Sequence, residues 1–314
     1  MSTNITTGDQ QSWVDTPPIN PPIRHFIGEM VESQTWLESL ATPLQNWLHT
    51  LFGKQGEPAY KVKDVIDGTW LGHPLHPVLV TIPLGAWTCT AILDLFSMSS
   101  DDPALQRGAD ATLWIGMIGA LGAIPTGITQ WSDIDGPDRR VGLFHGLLNS
   151  GIGMLNLTSG ILRLTGRRRT AIALSTTAYL TSLFTAYLGG ELSYAKGIGI
   201  NHVAFEGGSD DFVPVMDAQD LPENKLTRVD VAGMPAVLLK QGRAIYAIAA
   251  TCSHLGGPLD EGTVTDGVVQ CPWHGSCFRM SDGSIVNGPT TYAQPTFAVR
   301  VRNNKIELRR LEHA

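Results

Sequence analysis

Charged side chains are scarce in this sequence and are spread unevenly along it. Only 16% of the residues are charged, whereas about a quarter is usual for a soluble globular domain. Between Leu75 and Leu188 the chain is largely apolar, but from His202 onward it has the composition of an ordinary soluble domain. The simplest interpretation is a membrane section followed by a soluble section, and 314 residues suffice for two domains.

An excess of positive charge is also missing. The formal net charge is −7, and no Lys/Arg-rich stretch carries interleaved aromatic residues, so we expect no nucleic-acid partner. The polar N-terminus has neither a basic segment followed by an apolar one nor a twin-arginine pair. We therefore expect no cleaved signal peptide.

Cysteine is rare, with four residues at Cys89, Cys252, Cys271 and Cys277. The first and last lie far apart in different predicted domains, so a disulfide framework is not indicated. Cys277 is predicted to be a small buried apolar residue rather than a redox thiol.

The first part of the chain predicts a flexible segment followed by short helices. Residues 1–33 contain four prolines, which break regular structure. From Trp36 to Phe52 apolar residues recur at three- and four-residue steps, which indicates one or two amphipathic helices. These helices either lie on a membrane surface or pack against the soluble domain.

Four long apolar segments follow, at about 75–96, 112–131, 142–164 and 170–188. Each approaches the ~20 residues that a helix needs to cross a bilayer, and their short polar connections imply antiparallel neighbours. A soluble four-helix bundle is the rival interpretation, but the segments lack a polar stripe. Residues 34–202 are therefore predicted to form an all-α four-helix transmembrane bundle, multi-pass in the cell membrane. Lys and Arg counts nearly balance between the two sides, so the positive-inside rule does not give the orientation.

In an up-and-down bundle, the starts of the first and third spans share a membrane face with the ends of the second and fourth. Seven ionisable residues fall on this face: His73, His76, Asp133, Asp135, His145, Glu191 and His202. Each histidine by itself is explained as an interfacial group that hydrogen-bonds a helix end. Taken together, they suggest a haem, metal or quinone site beside the soluble domain.

Residues 211–312 predict a small all-β domain. Six segments have the composition of strands: 226–231, 236–240, 244–249, 268–270, 297–302 and 305–309. Turn pairs separate them: Gln241-Gly242, Asp266-Gly267, Asp282-Gly283 and Asn303-Asn304.

Two segments of this domain have the spacing of metal ligands. Cys252 and His254 form C-x-H and, after sixteen intervening residues, Cys271 and His274 form C-x-x-H. A structural zinc site usually pairs Cys with Cys and His with His along the chain, and it remains the non-redox alternative. One thiolate and one imidazole on each loop suit a dinuclear centre, in which one iron binds both cysteines and the other both histidines.

In these residues the sequence resembles the Rieske [2Fe–2S] ferredoxin domains, from about Asp211 to Leu311. The resemblance implies one [2Fe–2S] cluster per chain, held by the four residues just named. High-potential members of the family carry a second cysteine in each loop, and the matching positions here are Gly257 and Trp273. Their sulfur-bonding tyrosine is replaced by Phe278, whereas Ser276 matches the family serine. Fewer hydrogen bonds to sulfur imply a low-to-intermediate potential.

The chain from about Trp36 to His202 resembles an uncharacterised family of bacterial four-helix membrane proteins with an HPLHP-type motif, here His73 to Pro77. That resemblance implies no activity. The combination predicts a membrane-anchored one-electron carrier in contact with lipid, acting between an acceptor and a protein redox partner or quinol. The alternatives are a ferredoxin component of a Rieske oxygenase system, and a redox sensor whose membrane domain binds haem or quinone.

A stand-alone oxygenase requires a further iron site of two histidines and a carboxylate. Only forty residues follow His274, so we expect an electron-transfer protein or oxidoreductase subunit rather than a stand-alone enzyme. The sequence gives no oligomeric state.

Overall fold

The computed structural model describes residues 26, 28–53, 57–100 and 102–311, in which a helical region precedes a small β domain. Six α-helices lie within these residues: α1 Glu38–Gly53, α2 Glu57–Asp67, α3 Leu75–Ser100, α4 Pro103–Trp131, α5 Gly136–Leu164 and α6 Arg168–Gly190. Single helical turns occur at Gly28–Glu32, Thr35–Leu37, Thr69–Leu71 and Glu191–Ala195.

The four long helices α3 to α6 coincide with the four predicted apolar segments and pack in a ring, each against the next and α6 against α3. They are longer than the predicted segments because their polar ends are helical too. Helix α4, for example, begins at Pro103, where the Asp102 side chain accepts a hydrogen bond from the Ala104 amide at 2.8 Å. This N-cap adds two polar turns before the apolar stretch begins.

The ring has polar groups inside and apolar groups outside. Asp94, Asn156 and Arg163 are buried between the helices, whereas Leu95, Ile118 and Leu121 are among the most exposed side chains of the bundle. A bundle in water has the opposite arrangement, and a bundle in lipid has this one.

Among the described residues, three helices are long and apolar enough to cross a membrane: Leu75–Ser100, Pro103–Trp131 and Arg168–Ala195. The prediction of four spans is therefore not confirmed for the third segment, which α5 occupies. His145, Asn149 and Asn156 lie along α5 and lower its mean hydropathy.

The amphipathic segment at 36–52 falls mostly on α1, which packs across one end of the bundle. Leu37, Ala41 and Leu48 are buried there against Trp131 and Leu188. Most of the predicted flexible segment 1–33 lies outside the described residues. Its end, Gly28–Glu32, is a helical turn whose Val31 is buried in the same core, so this part packs rather than moving freely.

The β domain contains ten short strands: β1 Val213–Asp217, β2 Thr227–Val231, β3 Met234–Gln241, β4 Ala244–Ala249, β5 Thr263–Thr265, β6 Val268–Gln270, β7 Cys277–Arg279, β8 Ile285–Asn287, β9 Phe297–Arg302 and β10 Lys305–Arg310. They form three antiparallel sheets, ordered β1-β10-β9, β2-β3-β4 and β5-β6-β7-β8.

Strand β3 joins the two cores of this domain. Ala236 and Leu238 point into one core and Val237 and Leu239 into the other, because side chains alternate across a strand. The predicted turns are present: Asp266-Gly267 and Asn303-Asn304 have positive φ at both positions, as tight hairpins require. Prediction from sequence missed β1, β5, β7 and β8, of which three are only three residues long and too short for a periodic pattern.

Candidate iron–sulfur site

The four predicted ligands lie on two loops that have the same pattern of backbone hydrogen bonds. In the first loop the Cys252 amide donates to the Gly257 carbonyl at 2.8 Å, and the Gly256 amide donates to the Cys252 carbonyl at 2.9 Å. In the second the Cys271 amide donates to Ser276 at 2.9 Å, and the Gly275 amide donates to Cys271 at 3.2 Å. Each loop therefore closes around its cysteine.

A glycine four residues after each cysteine permits this closure. Gly256 has φ +77° and Gly275 has φ +78°, a left-handed conformation that strains other residues. The repeated geometry places one cysteine and one histidine of each loop at the tip of the domain.

The structure brings the four residues together as two pairs. The Cys252 and Cys271 side chains are buried and lie close enough for each thiol to shift the pKa of the other, and the rings of His254 and His274 meet edge to face with centroids 5.1 Å apart. Within the described residues no group of three or more His, Cys, Asp or Glu side chains is placed to hold a single metal ion. A Cys–Cys pair beside a His–His pair matches the donor set of a Rieske centre, with two protein ligands for each iron.

Two orphaned polar atoms at this tip also fit such a centre. His254 Nδ1 and Ser276 Oγ are buried with no hydrogen-bond partner among the described atoms. A buried group without a partner is destabilising by about 1–3 kcal/mol. An iron ion at the first and a sulfur atom at the second would satisfy them.

The pKa shifts of His254 and Cys271 favour the protonation states that metal binding requires, whereas that of Cys252 does not. Burial lowers the pKa of His254 to about 3, so its imidazole is neutral, as a ligand must be. The hydrogen bond from Cys252 lowers the pKa of the Cys271 thiol, with backbone groups of Trp273 and His274 assisting. The same bond, together with burial, raises the pKa of Cys252.

A third loop, at 288–292, covers the site. The Ser253 hydroxyl lies 2.9 Å from that of Thr290 and donates to the Tyr292 carbonyl at 2.7 Å. A Cβ on Gly288 would come within 2.7 Å of the Ser276 Cα, so only glycine allows this loop to approach so closely.

The residues expected to set the potential lie around the four ligands. A Cβ on Gly257 would lie 3.1 Å from the Trp273 ring, so the two positions that match the second cysteines of high-potential proteins are neighbours here. Phe278 is fully buried and brings no donor. Cys277 is buried, its Sγ lies 3.3 Å from the Gly275 carbonyl oxygen, and burial raises its pKa to about 11.

The tip of the β domain rests on the helical region, and every loop of the site contributes a contact. The Ser253 carbonyl accepts from the His202 amide at 3.1 Å, and His274 Nε2 lies 3.1 Å from Asp135 Oδ2. The Gly288 amide donates to Asp64 Oδ1 at 3.1 Å. His254 faces a narrow cavity between the domains, whereas His274 borders an open groove with Asp135, Lys196 and Trp273.

The other predicted histidines do not gather into one site. His73 Nδ1 donates to the Pro74 carbonyl, His202 Nε2 to Gly197 and His76 Nδ1 to Ala123, at 2.8 to 3.0 Å. Only His145 keeps a buried Nδ1 without a partner among the described atoms. Hydrogen bonding thus accounts for three of the four, and a haem or quinone site stays a prediction.

Sequence reasoning missed an ion cluster beneath the tip. Lys63 Nζ lies 2.6 Å from Asp67 and 2.7 Å from Asp133, and all three are largely buried. Burial opposes its charge, but the carboxylates of Asp133 and Asp67 outweigh this and raise the pKa of Lys63. In the sequence Lys63 and Asp67 have the spacing of two residues on the polar face of an ordinary helix, so the sequence pattern did not indicate that they are buried.

Comparison with known proteins divides the chain at the same place as the structure. The Rieske [2Fe-2S] domain family matches residues 211–298, and a family described as Predicted membrane protein (DUF2231) matches 72–202. The HPLHP-type motif is not part of that finding.

Three individual proteins illustrate the similarity. Ferredoxin CarAc of Metapseudomonas resinovorans is 30% identical over 96 residues, 30% of this chain and 90% of that protein. Apoptosis-inducing factor 3 of Mus musculus is 30% identical over 100 residues, 32% of this chain but only 16% of that protein's length. The solved ferredoxin of carbazole 1,9a-dioxygenase from Nocardioides aromaticivorans IC177 is 26% identical and aligns with 31% of this chain and 96% of that one, with a TM-score of 0.31.

The paired cysteines and histidines, the matched domain and the ferredoxin relative agree, and the chain belongs to the Rieske [2Fe–2S] family.

Proposed function

We propose that Cys252, His254, Cys271 and His274 hold the cluster, and that the protein is a membrane-anchored one-electron carrier. The observation that carries the proposal is the pairing of these residues at a tip seated on a helical region with three membrane-length helices. When bound, a Rieske cluster accepts and releases single electrons.

The unequal surroundings of the two histidines suggest how partners reach the site. His254 is enclosed by the helical region, whereas the His274 side chain is 14% exposed and borders the open groove. Trp273, adjacent to it, is 57% exposed, and large exposed aromatics are frequent anchors of interfaces. Electrons therefore enter and leave past His274, to or from a protein redox partner or a quinol.

Anchoring is supported by α1 as well as by the bundle. Leu40, Trp47 and Leu51 on the outer face of α1, and Trp36 in the turn before it, are exposed, while the opposite face packs on the bundle end. Tryptophan concentrates at membrane–water interfaces, and an amphipathic helix lying in the interface buries such a face in lipid.

Spectroscopy of the detergent-purified full chain tests the cluster and the anchor together. We expect two irons and two acid-labile sulfides per chain, an EPR signal of a reduced [2Fe–2S] cluster, and retention in membranes after alkaline carbonate washing. Zinc in place of iron would overturn the cluster assignment, and release by carbonate would overturn the anchor.

The similarity to ferredoxin CarAc favours a second candidate, a ferredoxin component of a Rieske oxygenase system. Two reductants separate the readings: a short-chain ubiquinol and an NADH-dependent ferredoxin reductase. Fast reduction of the cluster by the ubiquinol supports a quinol-linked carrier. Fast reduction only by the reductase supports a ferredoxin component of an oxygenase system.

The buried Nδ1 of His145, which has no hydrogen-bond partner among the described atoms, favours a third candidate, a redox sensor that also binds haem or quinone. A Soret band in the absorption spectrum of the purified protein would support the haem version, and its absence together with an organic extract free of quinone would remove this candidate.

A further inference from the structure

Asp135 lies at a position where an aspartate side chain normally stabilises the start of the helix that follows it. It is the N-cap residue of α5, where an aspartate usually accepts a hydrogen bond from the first turn, a contact that contributes about 1 kcal/mol. Its side chain makes no such bond. Its Oδ2 lies instead 3.1 Å from His274 Nε2, across the boundary between the two domains. The carboxylate therefore makes no N-cap hydrogen bond to α5 and contacts a predicted cluster ligand instead.

The connection between α4 and α5 that carries Asp135 is held in place by side chains of α1 and α2. Gln45 Nε2 donates to the Trp131 and Ile134 carbonyls at 3.1 and 2.9 Å, and His49 Nε2 donates to that of Ser132 at 2.8 Å. Asp133 is bonded to the buried Lys63. These contacts from α1 and α2 hold the backbone next to Asp135 in place, so its approach to His274 does not depend on a mobile loop.

We propose that Asp135 is a positioning residue of the cluster site, which orients the His274 ring and lowers the reduction potential of the cluster. A hydrogen bond at Nε2 leaves Nδ1 of His274 to face the cluster, as the orphaned Nδ1 of His254 does. A carboxylate on the outer nitrogen makes an imidazole a stronger donor to its metal. Stronger donation stabilises the oxidised cluster more than the reduced one, so the potential falls.

The helical region therefore acts on the chemistry of the β domain besides anchoring it. Asp135 is 81% exposed, so its charge by itself is screened by solvent and the hydrogen bond carries the effect. The effect of Asp135 rests on the proposed role of His274 as a cluster ligand, but it does not depend on which redox partner the protein has.

The matched control is Asp138, three residues further along the chain. It lines the same groove and carries the same charge, but its Oδ1 is paired with Lys196 at 2.6 Å. None of the hydrogen bonds and ion pairs described for Asp138 involves a proposed cluster ligand. Asp138→Asn therefore makes the same change in charge beside the site without removing a contact to His274.

The experiment compares four full-length, detergent-purified, cluster-loaded proteins: wild type, Asp135→Asn, Asp135→Glu and Asp138→Asn. Reduction potentials are measured by EPR-monitored titration at one fixed pH, and iron content establishes equal loading. We expect an upward shift in Asp135→Asn, with an altered EPR line shape. Asp135→Glu, which keeps a carboxylate on a longer and flexible side chain, should remain near wild type, and Asp138→Asn should shift much less than Asp135→Asn.

An unchanged or lower potential in Asp135→Asn would overturn the proposal. So would equal shifts in Asp135→Asn and Asp138→Asn, which would indicate a general charge effect, or a shift in Asp135→Glu as large as that in Asp135→Asn. Failure of all four proteins to hold iron and sulfide would reject the cluster site itself, a result separate from these.

Discussion

Three cysteine side chains lie near the tip of the β domain, yet only two of them face each other. The thiols of Cys252 and Cys271 interact with each other, whereas Cys277 is directed at the Gly275 carbonyl oxygen. Burial raises the pKa of Cys277 to about 11, but the pKa of Cys252 is raised as well. The proposed distinction between ligand and bystander therefore rests on the loop geometry of each residue.

Serine substitutions at two of these cysteines test that distinction. We expect Cys271→Ser to abolish the visible absorption and EPR signal of the cluster, because one iron loses half of its protein ligands. Cys277→Ser, the matched control, should keep both signals at wild-type intensity. Loss of the cluster in Cys277→Ser together with its retention in Cys271→Ser would contradict the proposed ligand set.

Asp64 gives a prediction of pH dependence. Burial raises its pKa from 3.8 to about 6, although the Gly288 amide donates to it. Between about pH 4 and 6 the folded protein holds a proton that the unfolded chain has released, so the stability contributed by this group falls as pH rises through that window.

Asp64→Asn removes this titration. The free energy of unfolding of the variant, measured by denaturant titration from pH 4 to 7, should fall less steeply with pH than that of wild type. The two curves should differ in slope below about pH 6 and run parallel above it. Parallel curves throughout would show that Asp64 titrates normally.

Among the helices, one ion cluster joins all four members of the ring at the end of the bundle away from the β domain. Asp94 of α3 and Asp110 of α4 pair with Arg163 of α5 and Arg168 of α6. Arg163 contacts Asp94 through both terminal nitrogens, the fork geometry that arginine provides. Each helix contributes one charge, so the cluster fixes the register of the ring at that end.

The two carboxylates of this cluster differ in burial, which allows a graded test. The Asp94 side chain is 1% exposed and that of Asp110 is 36% exposed. Breaking a buried pair leaves an uncompensated charge and is destabilising by about 3–5 kcal/mol, so Asp94→Asn should lower the unfolding midpoint in detergent strongly. Asp110→Asn should lower it less, because water can reach its partners. Equal effects would argue against burial as the cause.

Close helix contacts explain several glycines of the ring. A Cβ on Gly116 would overlap the Trp87 ring, one on Gly119 would lie 2.5 Å from Ile82, and one on Gly160 would lie 2.7 Å from Trp114. Gly151 and Gly153 on α5 have open space beside them, because the face of a helix that meets a neighbour is set by the packing of the whole ring.

For the whole molecule, the apolar exterior of the bundle distinguishes a membrane region from a soluble one. Ile118, near the middle of α4, is 70% exposed, and Val301 on β9 is 54% exposed. The two are similar in exposure but differ in their expected surroundings, lipid for the first and water for the second.

Lysine substitutions at these two positions test the difference. A lysine near the centre of a membrane-spanning helix is unfavourable by roughly 2.5–3.5 kcal/mol. Ile118→Lys should therefore reduce the amount of protein inserted in membranes, measured by carbonate-resistant fractionation, and Val301→Lys should leave it unchanged. Normal insertion of Ile118→Lys would indicate that α4 does not face lipid.

Local patterns in the sequence determined much of this protein. The four proposed ligand positions, the glycines four residues after each cysteine, the turn pairs and the four long apolar segments all follow from preferences within a few residues of chain. Fold class, and the presence of a cluster, could be predicted for that reason. The three-residue strands β5, β7 and β8 could not, because three residues are too few to show the alternation of a strand.

Only the tertiary structure decided how the two domains act on each other. Asp135 meets His274 across 139 positions of sequence, and Asp64 meets Gly288 across 224. Such contacts arise from the seating of one folded unit on another, which no local preference encodes. For the same reason the ionisable residues predicted to share one membrane face have different partners in the structure. His73, His76 and His202 are hydrogen-bonded to backbone carbonyls. Asp133 pairs with the buried Lys63, and Asp135 contacts His274.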